Sequence, residues 1–173
     1  MSSQMGTVVW VTGLPRAGKT TIGRCVAADA RLRGRGIHLD GDSLREILPS
    51  HMGFSREERR QLAYFYASLA GVLAKQGKIV VVSTVSLFHD VHKANRALNI
   101  NYVEILVDAP DGVRRDRDSQ GVYRTTRDVM GRDILPEMPF NPDLVLQNGG
   151  EASVDQLGNT VVEMLLERGF IRP

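Results

Sequence analysis

The chain is poor in cysteine. Cys25 is its one thiol in 173 residues, which rules out an internal disulfide and fits a reducing compartment. Set within the first helical stretch, it reads as a small buried hydrophobe rather than a reactive group. No apolar run is long enough to span a bilayer, and Met1 to Gly6 lack the charged-then-apolar build of a secretion signal. The expected location is the cytoplasm, off the membrane. Net charge is small too: 22 Lys and Arg against 20 Asp and Glu leave +2, no footprint for nucleic acid. Repeats and low-complexity segments are lacking. What is left fits one domain over 1–173, long enough to bury about 70% of its unfolded surface.

Against these absences one stretch stands out, Gly13-Leu14-Pro15-Arg16-Ala17-Gly18-Lys19-Thr20, which fits G-x-x-x-x-G-K-S/T. The β-branched, apolar run Thr7 to Thr12 precedes it, as a buried parallel strand should. Thr21 to Leu32 follow with Ile22, Val26, Ala27 and Ala30 at helical spacings. Strand, glycine loop and helix make the pattern a phosphate site. Gly13 and Gly18 let the backbone turn so that N–H groups, including those of Arg16, Ala17 and Thr21, surround phosphate oxygens. The helix N-terminus favours negative charge, Lys19 can reach the β- and γ-phosphates, and the Thr20 hydroxyl can ligate Mg²⁺. The expected ligand is a nucleoside triphosphate.

Further strands are expected at Gly36–Asp40, Lys78–Thr84, Tyr102–Asp108 and Asp143–Leu146, with Lys78–Thr84 as a central strand covered on both faces. Helices are expected from Ser43 towards Leu48, stopped by Pro49, and from a capping box at Ser55 to about Gln76. Leu62, Phe65, Leu69, Val72 and Leu73 give the second of these its apolar spacing. Three more should cover Phe88–Leu98, Gly112–Asp118 and Val154–Glu167. Strands alternating with helices imply an α/β fold of three layers, a five-stranded parallel sheet with helices on both faces.

Asp40 and Asp42 end the second strand, where ligands of open α/β sheets bind. They can hold Mg²⁺ through water or accept a proton from an attacking hydroxyl; the plainer alternative is a polar turn with Asp42 as a helix cap. Arg114, Arg115, Arg117, Arg124, Arg127 and Arg132 crowd an irregular stretch, read as a lid over about 119–142. Asp116, Asp118, Asp128 and Asp133 alternate with them, so a solvated surface is the alternative. Ser86 ends the central strand, either touching a substrate or simply closing a strand. His89 and His92, without a third ligand, read as surface residues.

Several segments resemble the adenylylsulfate kinase (APS kinase) family, over nearly the whole chain. The phosphate loop is similar to G-L-S-G-S-G-K-S/T, and Leu39-Asp40-Gly41-Asp42-Ser43-Leu44-Arg45 to L-D-G-D-N-V-R. Gly53-Phe54-Ser55 with Arg59 resembles G-F-S-x-x-D-R, and Ser86 stands at the serine of I-S-P. Arg117-Asp118, Gly121 and Tyr123 resemble R-D-x-K-G-L-Y, and Asn141-Pro142-Asp143-Leu144 resembles N-P-D-L. The resemblance implies a P-loop kinase fold with an arginine-rich lid, Mg²⁺-ATP as donor, and transfer to the ribose 3′-hydroxyl of adenylyl sulfate. It also implies roles: Lys19 and Thr20 at triphosphate and metal, Asp42 as base, Arg45, Phe54 and Arg59 at the acceptor nucleotide, and Arg117 on the ATP side. Members of that family commonly form homodimers.

The acceptor half departs from the pattern. Leu62 stands where the family has asparagine, Gln120 and Thr125 replace lysines, Val129 replaces an aromatic, and Leu87 replaces the proline of I-S-P. Losing a buried reader of a polar group removes up to about 10⁴-fold of discrimination, and losing one ring of a base sandwich costs about 1–3 kcal/mol. Two further expectations follow: an acceptor other than adenylyl sulfate, such as cytidine diphosphoramidate, or a regulatory ATP-binding module that no longer catalyses.

Overall fold

The computed structural model describes residues 5–48, 53–98 and 100–172. Five parallel strands form one sheet in the order β2-β3-β1-β4-β5. They are β1 (Thr7–Thr12), β2 (Gly36–Asp40), β3 (Ile79–Ser83), β4 (Asn101–Asp108) and β5 (Leu144–Gln147). The centre belongs to β1, whose Val8 sits opposite Val80 of β3 and Tyr102 of β4. β3 lies beside it, buried along its whole length, as its unbroken β-branched run requires.

Side chains alternate across a strand, so each face collects every second residue. Val9 and Val11 join one core with Ile22 and Val26 of α1 (Lys19–Ala28) and Leu157, Val161 and Leu165 of α7 (Val154–Glu167). Val8 and Trp10 join the other, with Leu62 and Tyr66 of α3 (Arg56–Lys75) and Val91 of α4 (His89–Arg96). Three layers result.

The elements differ from expectation at their ends and in one face. α1 begins at Lys19 and ends at Ala28, because Asp29 turns extended and its carboxylate caps the 3-10 turn Ala30–Leu32. α2 (Gly41–Glu46) begins before Ser43, since Asp40 is its cap, accepting from the N–H groups of Asp42 and Ser43. Asp42 is therefore no cap, and Pro49 lies outside the described residues. α3 starts from the expected capping box, but Phe65 and Val72 point outward at 42% and 56% exposure. Leu62 is buried as expected, beside Tyr66, and the rest of the buried face is Ala63, Ala67, Ala70, Gly71 and Ala74, small residues that let the helix lie close to the sheet. Gly6 shows how close: a Cβ there would stand 2.4 Å from the Ala74 carbonyl. α5 covers Asp111–Asp116. In the stretch 119–142, a short α6 (Val122–Thr125) is followed by a bridge between Met130 and Ile134, both of which enter the second core. Cys25 is half-buried rather than buried; burial and the neighbouring Asp155 raise its thiol pKa.

Candidate active site

The residues that follow the C-terminal ends of β1, β2 and β3 surround a cavity of about 820 Å³. On leaving β1 the chain turns through Gly13 (φ 148°), Arg16 (φ 64°) and Gly18 (φ 100°) before α1. Any side chain at Gly13 would strike the Val107 carbonyl, with a Cβ only 2.3 Å away. Gly13 and Ala17 thus shape the loop from behind, whereas Arg16, Gly18, Lys19, Thr20 and Thr21 line the cavity.

Lys19 Nζ donates to the Leu14 carbonyl at 2.8 Å. Burial lowers the ammonium to a pKa of about 8, with Asp42 and then Asp40 opposing the shift. The Thr20 hydroxyl donates to Asp40 Oδ2 at 2.6 Å. Burial pushes the Asp40 carboxyl up, but the Thr20 hydroxyl and the N–H groups of Ser43 and Asp42 outweigh it and hold the pKa below the ordinary value. Hydroxyl and carboxylate oxygens form a hard donor set that suits Mg²⁺. Among the described residues no group of three His, Cys, Asp or Glu could hold a metal alone, so a cation here would take further ligands from phosphate or water.

Asp42, Arg45, Phe54, Arg59 and Ser86 line the same cavity. Phe54 lies under two guanidinium groups, with Arg45 at 4.4 Å and Arg59 at 5.2 Å from its ring centroid. Arg45 also donates to the Gly53 carbonyl and Arg59 to the Phe54 carbonyl, which ties the arginines to the loop before α3. Burial and the adjacent Arg45 charge lower the Arg59 pKa. Ser86 adopts φ 26°; its hydroxyl pairs with that of Thr84 at 2.7 Å. Its carbonyl lies 3.0 Å from His92 Nε2. His92 is therefore no surface residue: it is buried against Glu104, and that burial lowers its pKa.

The departing positions divide. Leu62 (2% exposed), Gln120 and Val129 line the cavity, so a leucine and a valine contribute apolar wall. Thr125 does not; its hydroxyl donates back to the Gly121 carbonyl. Leu87 is buried in the second core.

Half of the six arginines in the cluster hold neighbouring acids and carbonyls. Arg114 is buried, donating to the Ala109 carbonyl, Tyr123 Oη and Asp111. Arg115 pairs with Asp111, and Arg132 holds Asp133 and the carbonyls of Tyr123 and Thr126. Arg117 does line the cavity, with Nη2 3.5 Å from Asn148 Oδ1. Asn148, absent from the sequence expectations, donates to the Ala17 carbonyl at 2.8 Å. Its signal was its place just past β5, at the sheet edge where ligands bind. Tyr66, Val85 and Met130 also line the cavity and carried no comparable signal.

Comparison with known proteins adds a family. Residues 5–147 match the family model described as adenylylsulphate kinase. The chain is similar to an adenylyl-sulfate kinase of Microcystis aeruginosa, 34% identical over 97% of this chain and 96% of the relative. It is as similar to a cytidine diphosphoramidate kinase of Campylobacter jejuni, 34% identical over 91% and 95%. Among solved structures it resembles the Mycobacterium tuberculosis APS kinase in complex with AMPPNP and APS, with a TM-score of 0.81 at 30% identity over 92% of this chain and 97% of that one.

Proposed function

Because the chain belongs to the adenylylsulphate kinase family, we propose that it transfers the γ-phosphoryl group of Mg²⁺-ATP to a ribose hydroxyl of an activated nucleotide, with adenylyl sulfate as the first acceptor to test. Membership makes it a phosphotransferase that uses ATP, and the expectation of a non-catalytic module gives way. One observation carries the acceptor reading: donor-side Lys19 and Thr20 share a single cavity with Asp42, Arg45, Phe54 and Arg59.

The roles follow from that placement. Main-chain N–H groups at Arg16, Gly18 and Thr21 cradle the triphosphate, Gly13 and Ala17 (whose N–H donates to the Leu14 carbonyl) shape the loop behind them, and Lys19 neutralises charge developing on the transferred group. Thr20 and Asp40 would hold Mg²⁺, which supplies charge neutralisation across the β- and γ-phosphates. Asp42 orients the acceptor hydroxyl or takes its proton. Arg45 and Arg59 offer positive charge to an anionic nucleotide, Phe54 offers a ring to its base, and Ser86 closes the far wall. Arg117 with the segment 119–142 forms the lid that excludes water on the ATP side. The reading takes 1–173 as one kinase domain in the cytoplasm, active as a homodimer, a state that light scattering would test.

A second acceptor is favoured by specific positions. Leu62 makes the wall more apolar than the family's asparagine would, Val129 offers no ring in place of the family's aromatic, and one similar relative is a cytidine diphosphoramidate kinase. The deciding experiment is ATP consumption with Mg²⁺, offering adenylyl sulfate or cytidine diphosphoramidate and weighing the products. Saturable turnover of adenylyl sulfate supports the first acceptor. Turnover of the cytidine nucleotide alone transfers the reading to the second, and silence with both overturns it.

A further inference from the structure

Arg16 is the oddest residue of the phosphate loop. It is not glycine, yet it sits at φ 64°, a left-handed conformation that costs a side-chain-bearing residue about 1 kcal/mol or more. Such a conformation persists where surroundings over-determine it. Here the surroundings lie over a hundred residues away in sequence: Arg16 Nε donates to Asp118 Oδ1 at 3.1 Å, and Nη2 donates to Gln120 Oε1 at 2.8 Å.

Asp118 is the hinge of this contact. Its side chain is only 5% exposed. Each oxygen also accepts a backbone N–H, from Val122 at 2.9 Å and from Tyr123 at 2.9 Å, so the carboxylate organises the first turn of α6. A buried carboxylate needs its charge met, and Arg16 is the one cation recorded in an ion pair with it among the described residues. The adjoining loop residue is tied to the same helix, because Tyr123 Oη donates to the Pro15 carbonyl at 2.8 Å. Two consecutive loop residues are thus fastened to one stretch, residues 118–123, and both Arg16 and Gln120 face the cavity.

We propose that Arg16 is a positioning residue: its guanidinium clasps residues 118–123 to the phosphate loop and holds that stretch in register at the cavity before nucleotide arrives. Donor binding then meets a preformed wall rather than a loose segment, which lowers the ordering cost of binding. The clasp gives Arg16 a role through Asp118 and Gln120 that is separate from any phosphate contact. It rests on the reading of the cavity as a nucleotide site only for its effect on ATP.

The test uses Arg16→Gly, which removes the guanidinium and relieves the left-handed strain, so the loop retains its fold. Gln120→Ala and the double variant accompany it. Amide hydrogen exchange of the nucleotide-free protein is read first: Arg16→Gly removes both guanidinium hydrogen bonds and should speed exchange over residues 118–126 by about tenfold or more, while α7 amides hold their rates. Steady-state kinetics are read second. KM for ATP should rise about tenfold with kcat within about threefold, and the effects of Arg16→Gly and Gln120→Ala should be non-additive. Unchanged exchange over 118–126, an equal acceleration in α7, or additive effects would overturn the clasp. Absence of any ATP turnover in the unaltered protein would retire the functional reading and leave the exchange measurement to decide the clasp.

Discussion

The hydroxyl of Thr20 donates to Asp40 Oδ2 across 2.6 Å, joining the start of α1 to the end of β2. The other oxygen, Oδ1, accepts from the N–H groups of Asp42 and Ser43 and so starts α2. One carboxylate has two tasks that substitution can separate. Asparagine caps as well as aspartate, so Asp40→Asn should keep its melting temperature while raising the Mg²⁺ needed for half-maximal turnover about tenfold. Asp40→Ala should also lose about 1 kcal/mol of stability with the cap. A Mg²⁺ titration beside a thermal melt checks both, and an unaltered Mg²⁺ requirement in Asp40→Asn would remove Asp40 from the metal.

Lys19, with its pKa lowered to about 8 by burial, loses its charge before the arginines that line the same cavity as pH rises. kcat/KM for ATP reports the free enzyme, so it should fall as pH climbs through about 8. Bound triphosphate holds the proton on, and kcat should stay level to higher pH. Lys19→Ala should lose at least about 10²-fold in turnover together with this pH limb. Folding responds in the opposite sense: between about 8 and the ordinary lysine value of 10.5 the unfolded chain binds the extra proton, so this group's contribution to stability improves with pH across that window. A limb that survives in Lys19→Ala would assign the titration elsewhere.

Asp42 stands in the first turn of α2, exposed to the cavity and free of the capping duty that Asp40 performs. Asp42→Asn should therefore bind ATP normally and lose phosphoryl transfer by about 10²-fold or more, within the range of general-base catalysis. Calorimetric ATP binding beside single-turnover kinetics separates the two. Transfer at the original rate would move the base to another group.

Leu62 contributes an apolar patch to the cavity wall. Leu62→Asn restores the residue of the resembling motif, and should raise kcat/KM for adenylyl sulfate relative to the cytidine nucleotide by about tenfold. The expected cost is about 1–3 kcal/mol of stability from a buried amide. Competition between the two acceptors, read by product mass, measures the ratio. A ratio that does not move would exclude position 62 from acceptor choice.

Much of the architecture was legible because local signals and tertiary demands agree. The capping box at Ser55 starts α3, and β3 fills the interior place that Val80, Val81 and Val82 call for. Failures came where packing overrode pattern. Phe65 and Val72 shared the apolar spacing of α3 with Leu62, but only Leu62 of the three turns inward, beside Tyr66 and a row of alanines that lets the helix lie close to the sheet. His92 looked polar and exposed, yet its ring fills a buried gap between the Ser86 carbonyl and Glu104. Of the arginines before β5, Arg114, Arg115 and Arg132 are engaged with Asp111 and Asp133, partners that the alternation of charge along the sequence did not pair off. Partners more than a hundred residues apart, such as Asn148 with Ala17, leave no local trace in a single sequence.

Trp10 lies at the middle of β1 with no exposed surface, and its indole Nε1 has no hydrogen-bond partner among the described residues. It is the only tryptophan in the sequence. The molecule thus has a single tryptophan reporter, set in a buried apolar cluster. Trp10 does not itself line the cavity, so its emission should be blue-shifted in the folded protein and should move strongly to the red only as the sheet comes apart. Intrinsic fluorescence will follow unfolding without a label.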